Sequence, residues 1–264
     1  MKRFVKIYTY WLLGILLFTG CDDYLKEDSG DLLIPGKVEE FLPMLYREGF
    51  PRNFNDEVAW LYLMTDDVEM GQLELDPEDE ANDTRDKNSS DAFNVGEGEE
   101  PYKWEREIKS YADNFWERRY GNILACNLVI DALPEMEYVE ADSGNYNFLA
   151  AQAYALRAYN YWCLVNSYAL PWSKENLDKP GVIIRMEPQI NISPRGRSSI
   201  REVYDLINED IEKAEKYINI ATFDGNIHRL SEPAILLLAS RIALFQENWD
   251  EVIRTGKLFL AQNS

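Results

Sequence analysis

Apolar positions recur at helical spacing through most of this chain beyond its first hundred residues. From Asn114 to Leu133, Phe115, Arg119, Ile123, Cys126, Ile130 and Leu133 share one face. Trp116, Tyr120, Leu124 and Asn127 form a stripe beside it, and Pro134 ends the segment. A second helix is predicted from about Asn145 to Tyr168, where Ala, Leu, Tyr and Trp alternate with few charges, the pattern of a helix buried on most sides. Ser198 or Ser199 is placed to cap a third through about Ile218. Glu202 completes a capping box there, and Val203, Leu206, Ile207, Ile211, Ala214 and Ile218 lie on the inner face. Ser231 caps a fourth, which runs to Gln246; after the turn at Glu247 and Asn248, Trp249 to Ala261 returns antiparallel to it. Near the N-terminus, Val38, Phe41, Leu42 and Leu45 predict a helix over 37–47, short or kinked because Pro43 lacks the amide that helix continuation uses.

Between these helices the pattern breaks. Residues 170–197 hold Pro171, Pro180, Pro188 and Pro194 with Gly181 and Gly196, which predicts a long excursion carrying at most a short strand at Val182 to Ile184. Loops beyond about 12 to 15 residues in compact domains are usually functional or disordered. Residues 66–100 contain 14 acidic and two basic residues, Arg85 and Lys87, with little periodicity, the composition of an acidic surface loop.

The pair 231–261 spans about 34 residues, the length of one tetratricopeptide repeat, with Ala239, Ala243, Trp249 and Val252 near the positions such a repeat uses. The same two-helix logic joins 114–133 to 145–168. The expected fold is therefore all-α, with tetratricopeptide-like helical hairpins forming an α-solenoid scaffold interrupted by long irregular loops.

The first residues change the picture of where the protein works. Lys2, Arg3 and Lys6 form a basic leader to the apolar run Ile7 to Phe18, which reads as a signal peptide over 1–20. The run is shorter than the roughly 20 apolar residues that a spanning helix needs, and Thr19, Gly20, Cys21, Asp22 and Asp23 follow at once. Small residues before Cys21 resemble the lipobox of bacterial lipoproteins, in which that thiol is acylated; Phe18 departs from it, standing where an aliphatic residue is usual. Cys21 is the predicted lipid attachment point, and several acyl chains anchor a protein stably where one does not. The acidic stretch CDDYLKED after it resembles the surface-export signals of Bacteroidetes lipoproteins, so the outer face of the outer membrane is expected.

Charge narrows the partners. The chain carries 47 acidic against 27 basic residues, a formal charge of −20, and loss of the basic leader makes it more acidic still. Nucleic acid is excluded as a natural ligand by repulsion acting over about 8 to 10 Å. Neutral glycans or peptides fit better, and an anionic polysaccharide would need a local basic pocket. Cys126 and Cys163 sit in apolar helical runs and read as small buried hydrophobes rather than a disulfide.

Catalytic signals are thin. The single histidine, His228, lies in a polar turn, so a serine or cysteine nucleophile lacks its usual base. Paired carboxylates that a glycosidase would use are abundant, but they arise by chance in so acidic a chain. The run DPEDEANDTRDKNSSD invites calcium yet lacks the glycine and terminal glutamate of an EF-hand loop, and no zinc spacing occurs, so no cofactor or metal is expected. Glycan capture instead needs flat aromatic faces flanked by carboxylates and amides. Trp60 and Tyr62, just ahead of Asp66 and Asp67, together with Trp104 and Trp172 at loop ends, are the predicted ligand contacts. Trp116, Tyr120, Tyr154, Tyr161, Trp162 and Trp249 lie within helices and are assigned to core packing.

Several segments together resemble the SusD/RagB family of Bacteroidetes nutrient-binding lipoproteins. They are CDDYLKEDSGDLLIPGKVEEFLPML, WERRYGNILACNLVIDAL, LAAQAYALRAYNYWCLVNSYALPW, PGVIIR, RSSIREVYDLINEDIEKAEKYI and ILLLASRIALF, with Ala155 to Tyr159 and the pair Tyr161 and Trp162 the most specific. The resemblance implies an all-α protein of tetratricopeptide-like helix pairs, without catalytic activity, held at the cell surface as the lid of a SusC-like TonB-dependent transporter. It implies an oligosaccharide ligand, or a peptide as in some relatives; a repeat scaffold that binds only other proteins is the alternative class. Family members carry a further irregular C-terminal part that packs on the repeats. Its lack here leads us to expect a truncated product or an N-terminal fragment with an exposed apolar face.

Overall fold

The computed structural model describes residues 36–51, 64, 102–105 and 115–262, with 137, 191, 192 and 224 excepted. The signal peptide, Cys21 and the acidic stretch 66–100 lie outside the described residues. Among the described residues are six α-helices, here α1 (Val38–Glu48), α2 (Phe115–Ala132), α3 (Ser143–Tyr168), α4 (Ile200–Ile218), α5 (Glu232–Phe245) and α6 (Trp249–Gln262). No described strand is present.

Local chemistry sets the helix ends where the sequence placed them. Ser199 accepts from the Glu202 amide while the Glu202 carboxylate accepts from the Ser199 amide at 2.7 Å, a closed capping box at the start of α4. Ser231 accepts from the Ala234 amide and starts α5. α2 runs into a 3-10 turn at Leu133–Glu135 that contains Pro134. α1 is short and continues through Pro43, which is exposed.

α3 is the centre of the assembly, packed against α2 on one side and α4 on the other, while α5 and α6 form the last hairpin. Ala150, Ala151, Ala153, Ala155 and Ala158 are fully buried along it, and side chains this small let neighbouring helices approach closely. One core cluster joins Leu45 of α1 to Cys126 and Val129 of α2 and Leu149 and Leu156 of α3. A second joins Ile123, Tyr161 and Leu164 to Ile207 of α4 and Ile242 of α5. At the start of α3, an added Cβ on Gly144 would stand 2.0 Å from Thr222 Oγ1, so only glycine admits the chain returning from α4.

Two expectations need correction or refinement. The strand expected at Val182 to Ile184 is extended backbone without a ladder; the pairing is a single bridge between Pro180 and Ser199, held by Gly181 N to Ser198 O at 2.7 Å and Ser198 N to Val182 O at 2.9 Å. Trp249, assigned to the core, is 59% exposed. It stands at the first turn of α6, so the repeat-like spacing did not carry burial with it. Cys126 and Cys163 form no disulfide, as their apolar settings predicted.

Candidate functional site

A cleft of about 440 Å³ opens between α2 and the segment 183–190 within the long loop. Its α2 wall is the stripe of Trp116, Tyr120, Leu124 and Asn127, one turn apart along one side of the helix; Arg185, Glu187 and Ile190 contribute from across it. Trp116 and Tyr120 contact each other with ring centroids 4.9 Å apart, and Tyr168 meets Trp116 edge-on at 4.9 Å. Both are half-buried, so each ring has one face in the core and one side on the cleft.

The opposite wall is held by side chains of the helices rather than by a sheet. Tyr120 Oη donates to Ile183 O at 2.7 Å. Tyr161 Oη donates to Arg185 O at 2.7 Å and accepts from Arg185 N at 2.8 Å, closing both backbone groups of one residue. Asn127 Nδ2 donates to Arg185 O at 3.0 Å and Glu187 O at 3.2 Å. Asn127 is itself fixed by Arg157, whose Nη1 donates to Asn127 Oδ1 at 2.9 Å. Extended backbone is thereby positioned without a ladder, each carbonyl satisfied by a specific partner.

Burial pushes the Tyr120 phenol up to about 12, against the pull of its hydrogen bond to Ile183 and the Arg185 and Arg197 charges. The phenol is thus a neutral donor near neutral pH. Arg195 pairs with Glu187, and the Arg197 guanidinium lies 5.6 Å from the Trp116 ring centre. The described residues lining the cleft include no serine, cysteine or histidine. The buried Cys126 thiol is held well above its ordinary value by desolvation, and His228 sits in an exposed turn. No group of three or more metal-ligating side chains occurs among the described residues. The arrangement suits binding: apolar aromatic surface, amides and paired charges.

Of the predicted ligand contacts, Trp60, Tyr62, Asp66 and Asp67 lie outside the described residues, as does the run considered for calcium. Trp104 is 68% exposed with φ 54°. Trp172 is half-buried and packs edge-on against Tyr204 at 4.7 Å, under the loop rather than at the cleft. Neither described tryptophan belongs to the cleft. The residues that do, Trp116 and Tyr120, had been read as core; the signal was their membership in the second stripe, which ends in the polar Asn127. A stripe that closes on an amide faces something other than a dry core.

Comparison with known proteins places this architecture. A SusD-like family profile described as "Starch-binding associating with outer membrane" matches residues 50–244. SusD-like protein P38 of Formosa agariphila is 31% identical over 151 residues, which cover 56% of this chain and 26% of that protein. A SusD superfamily protein from Bacteroides vulgatus superimposes with TM-score 0.63 at 16% identity, over 85% of this chain and 46% of its own. A laminarin binding SusD-like protein superimposes with TM-score 0.57 at 19% identity, over 83% and 41%. The chain therefore spans about a quarter of the curated relative and less than half of these solved structures. No described helix is long and apolar enough to cross a membrane. With a profile match across most of its length and a shared helical fold, the chain belongs to the SusD-like family.

Proposed function

We propose that this protein is a cell-surface lipoprotein that captures an oligosaccharide and delivers it to a SusC-like TonB-dependent transporter in the outer membrane. The observation that carries the reading is the Trp116 and Tyr120 wall facing backbone pinned by Tyr161 and Asn127, because a rigid aromatic wall stacks on a sugar ring with little ordering cost. Family membership supports it, and a fold neighbour is named for laminarin binding. Acylation of Cys21 supplies the anchor in this reading. Trp60, Tyr62, Asp66, Asp67, Trp104 and Trp172 form a second, loop-borne set of proposed contacts.

Titration of the purified chain with gluco-oligosaccharides and peptides, repeated on Trp116→Ala, tests the capture step. We expect saccharide binding that weakens about tenfold in the variant, equivalent to about 1.4 kcal/mol. Binding of peptides alone, or saccharide binding indifferent to Trp116, overturns the assignment of the cleft. Intact mass of the membrane-extracted protein tests the anchor: an unmodified Cys21 thiol removes it. Co-purification with an outer-membrane barrel tests the delivery step.

A further inference from the structure

The charge along the chain is uneven where it borders the cleft. From Lys179 to Arg201 there are five basic residues, Lys179, Arg185, Arg195, Arg197 and Arg201, and one acidic residue, Glu187, in a chain whose overall charge is −20. Glu187 is already paired with Arg195. Arg197 is exposed, and its hydrogen bonds run to two carbonyls, Tyr168 O at 2.7 Å and Gly181 O at 3.2 Å, which leave its charge in place. That charge lies over the Trp116 ring, and Arg185 lines the same cleft. Both arginines lie near enough to the Tyr120 phenol to oppose the upward push of its burial. Among the described residues lining the cleft, the acidic group not already paired with Arg195 is Glu117, exposed at its edge.

From this distribution we infer that the cleft prefers an anionic saccharide, one whose rings carry carboxylate or sulfate, over its neutral counterpart. The inference rests on reading the cleft as the oligosaccharide site. A guanidinium beside an aromatic face holds a charged sugar by two complementary means: the ring stacks on the apolar side of the pyranose while the positive charge attracts the acidic substituent. The acidity of the rest of the chain opposes this weakly, because charges more than about 8 Å away are largely screened at physiological salt, whereas Arg185 and Arg197 act at contact range. A carboxylate or sulfate gains more from these charges than a neutral hydroxyl does, so Arg185 on the cleft's far wall and Arg197 over Trp116 together act as a specificity feature.

The test compares an oligogalacturonide with the same oligomer after carboxyl reduction, by calorimetry on the purified chain at low salt and at about 0.15 M salt. The expected result is binding about tenfold tighter for the acidic form, equivalent to about 1.4 kcal/mol. That advantage shrinks at the higher salt, is lost in the Arg185→Gln, Arg197→Gln double variant and is largely retained in Arg197→Lys. Thermal melting of each variant checks that the loop anchored by Arg197 remains folded; Arg197→Lys keeps the test decisive if the glutamine variant unfolds, since its affinity for the acidic form then reports the charge alone. Equal or tighter binding of the reduced oligomer, with both forms weakened by Trp116→Ala, overturns the inference and leaves the cleft assignment standing. Binding of neither form overturns both.

Discussion

Arg157 and Asp210 meet in a two-point contact at the centre of the molecule: Nε reaches Oδ2 at 2.8 Å and Nη2 reaches Oδ1 at 2.7 Å, with the side chains 2% and 0% exposed. The contact joins α3 to α4, and the remaining arm of Arg157 holds Asn127 of α2. Asn127 in turn holds the carbonyls of Arg185 and Glu187. A single buried ion pair thus fixes three helices and the far wall of the cleft in one register.

Because burying the two charges costs about what their attraction returns, the pair adds little net stability, but removing one partner strands the other. Asp210→Ala is expected to lose about 3 to 5 kcal/mol in urea unfolding. The double variant Arg157→Met, Asp210→Leu is expected to recover much of that loss while still weakening ligand binding, since Asn127 is no longer oriented. A double variant as unstable as the single one contradicts this division of roles.

The capping box of α4 makes a pH prediction. Hydrogen bonds from the Ser199 amide and hydroxyl hold the Glu202 carboxyl below its ordinary value. A depressed folded-state value means that the contribution is complete above the unfolded glutamate value of about 4.3 and fades as pH falls through the lower folded one. Melting temperature measured across the acid range should therefore fall less steeply in Glu202→Gln than in the parent. Parallel curves would show that the box does not contribute. Ser199→Ala removes the other half of the box and is expected to cost about 1 kcal/mol at neutral pH.

Phenols act at the other end of the scale. Burial pushes Tyr120 and Tyr204 each up to about 12, so the folded state favours their neutral forms. Their contribution is full below the unfolded tyrosine value of about 10 and is lost as pH rises from there through about 12. Phenolate absorbance should show a late-titrating group of tyrosines whose ionisation coincides with unfolding. Tyr120→Phe, which also frees Ile183 O, should lower ligand affinity more than it lowers the melting temperature, because the bond it removes lies at the cleft and not in the core.

How much of this was legible beforehand depended on the kind of signal. The caps at Ser199 and Ser231 and the stop at Pro134 are local chemistry, and the helices begin and end there. Tyr161 was legible as buried but not as a clamp on Arg185, because its partner lies 24 residues away in a segment with no periodicity. The cleft was hidden for the same reason: Trp116 and Tyr120 obey helical spacing whether they face core or cleft. What decides between the two is a loop whose path is set by tertiary hydrogen bonds. Trp172 shows the converse, a loop residue whose position suggested exposure and whose ring packs on Tyr204.

The last hairpin yields the final prediction. In a solenoid each repeat buries its face against the next. α6 exposes Trp249, Ile253 and Leu260 at helical spacing, and α5 exposes Leu237 and Leu244. Arg254 on the same helix pairs with Glu215 and Glu251. These five side chains hold no core together, so replacing them should change stability within about 0.5 kcal/mol per site. Their removal should nevertheless reduce self-association, since contiguous exposed apolar surface is what drives it. Trp249→Ser with Ile253→Gln and Leu260→Gln is expected to lower light scattering and binding of a hydrophobic dye at unchanged melting temperature. A large fall in melting temperature would mean instead that this face packs against other parts of the same molecule, and unchanged scattering would mean that the residues do not act as one surface.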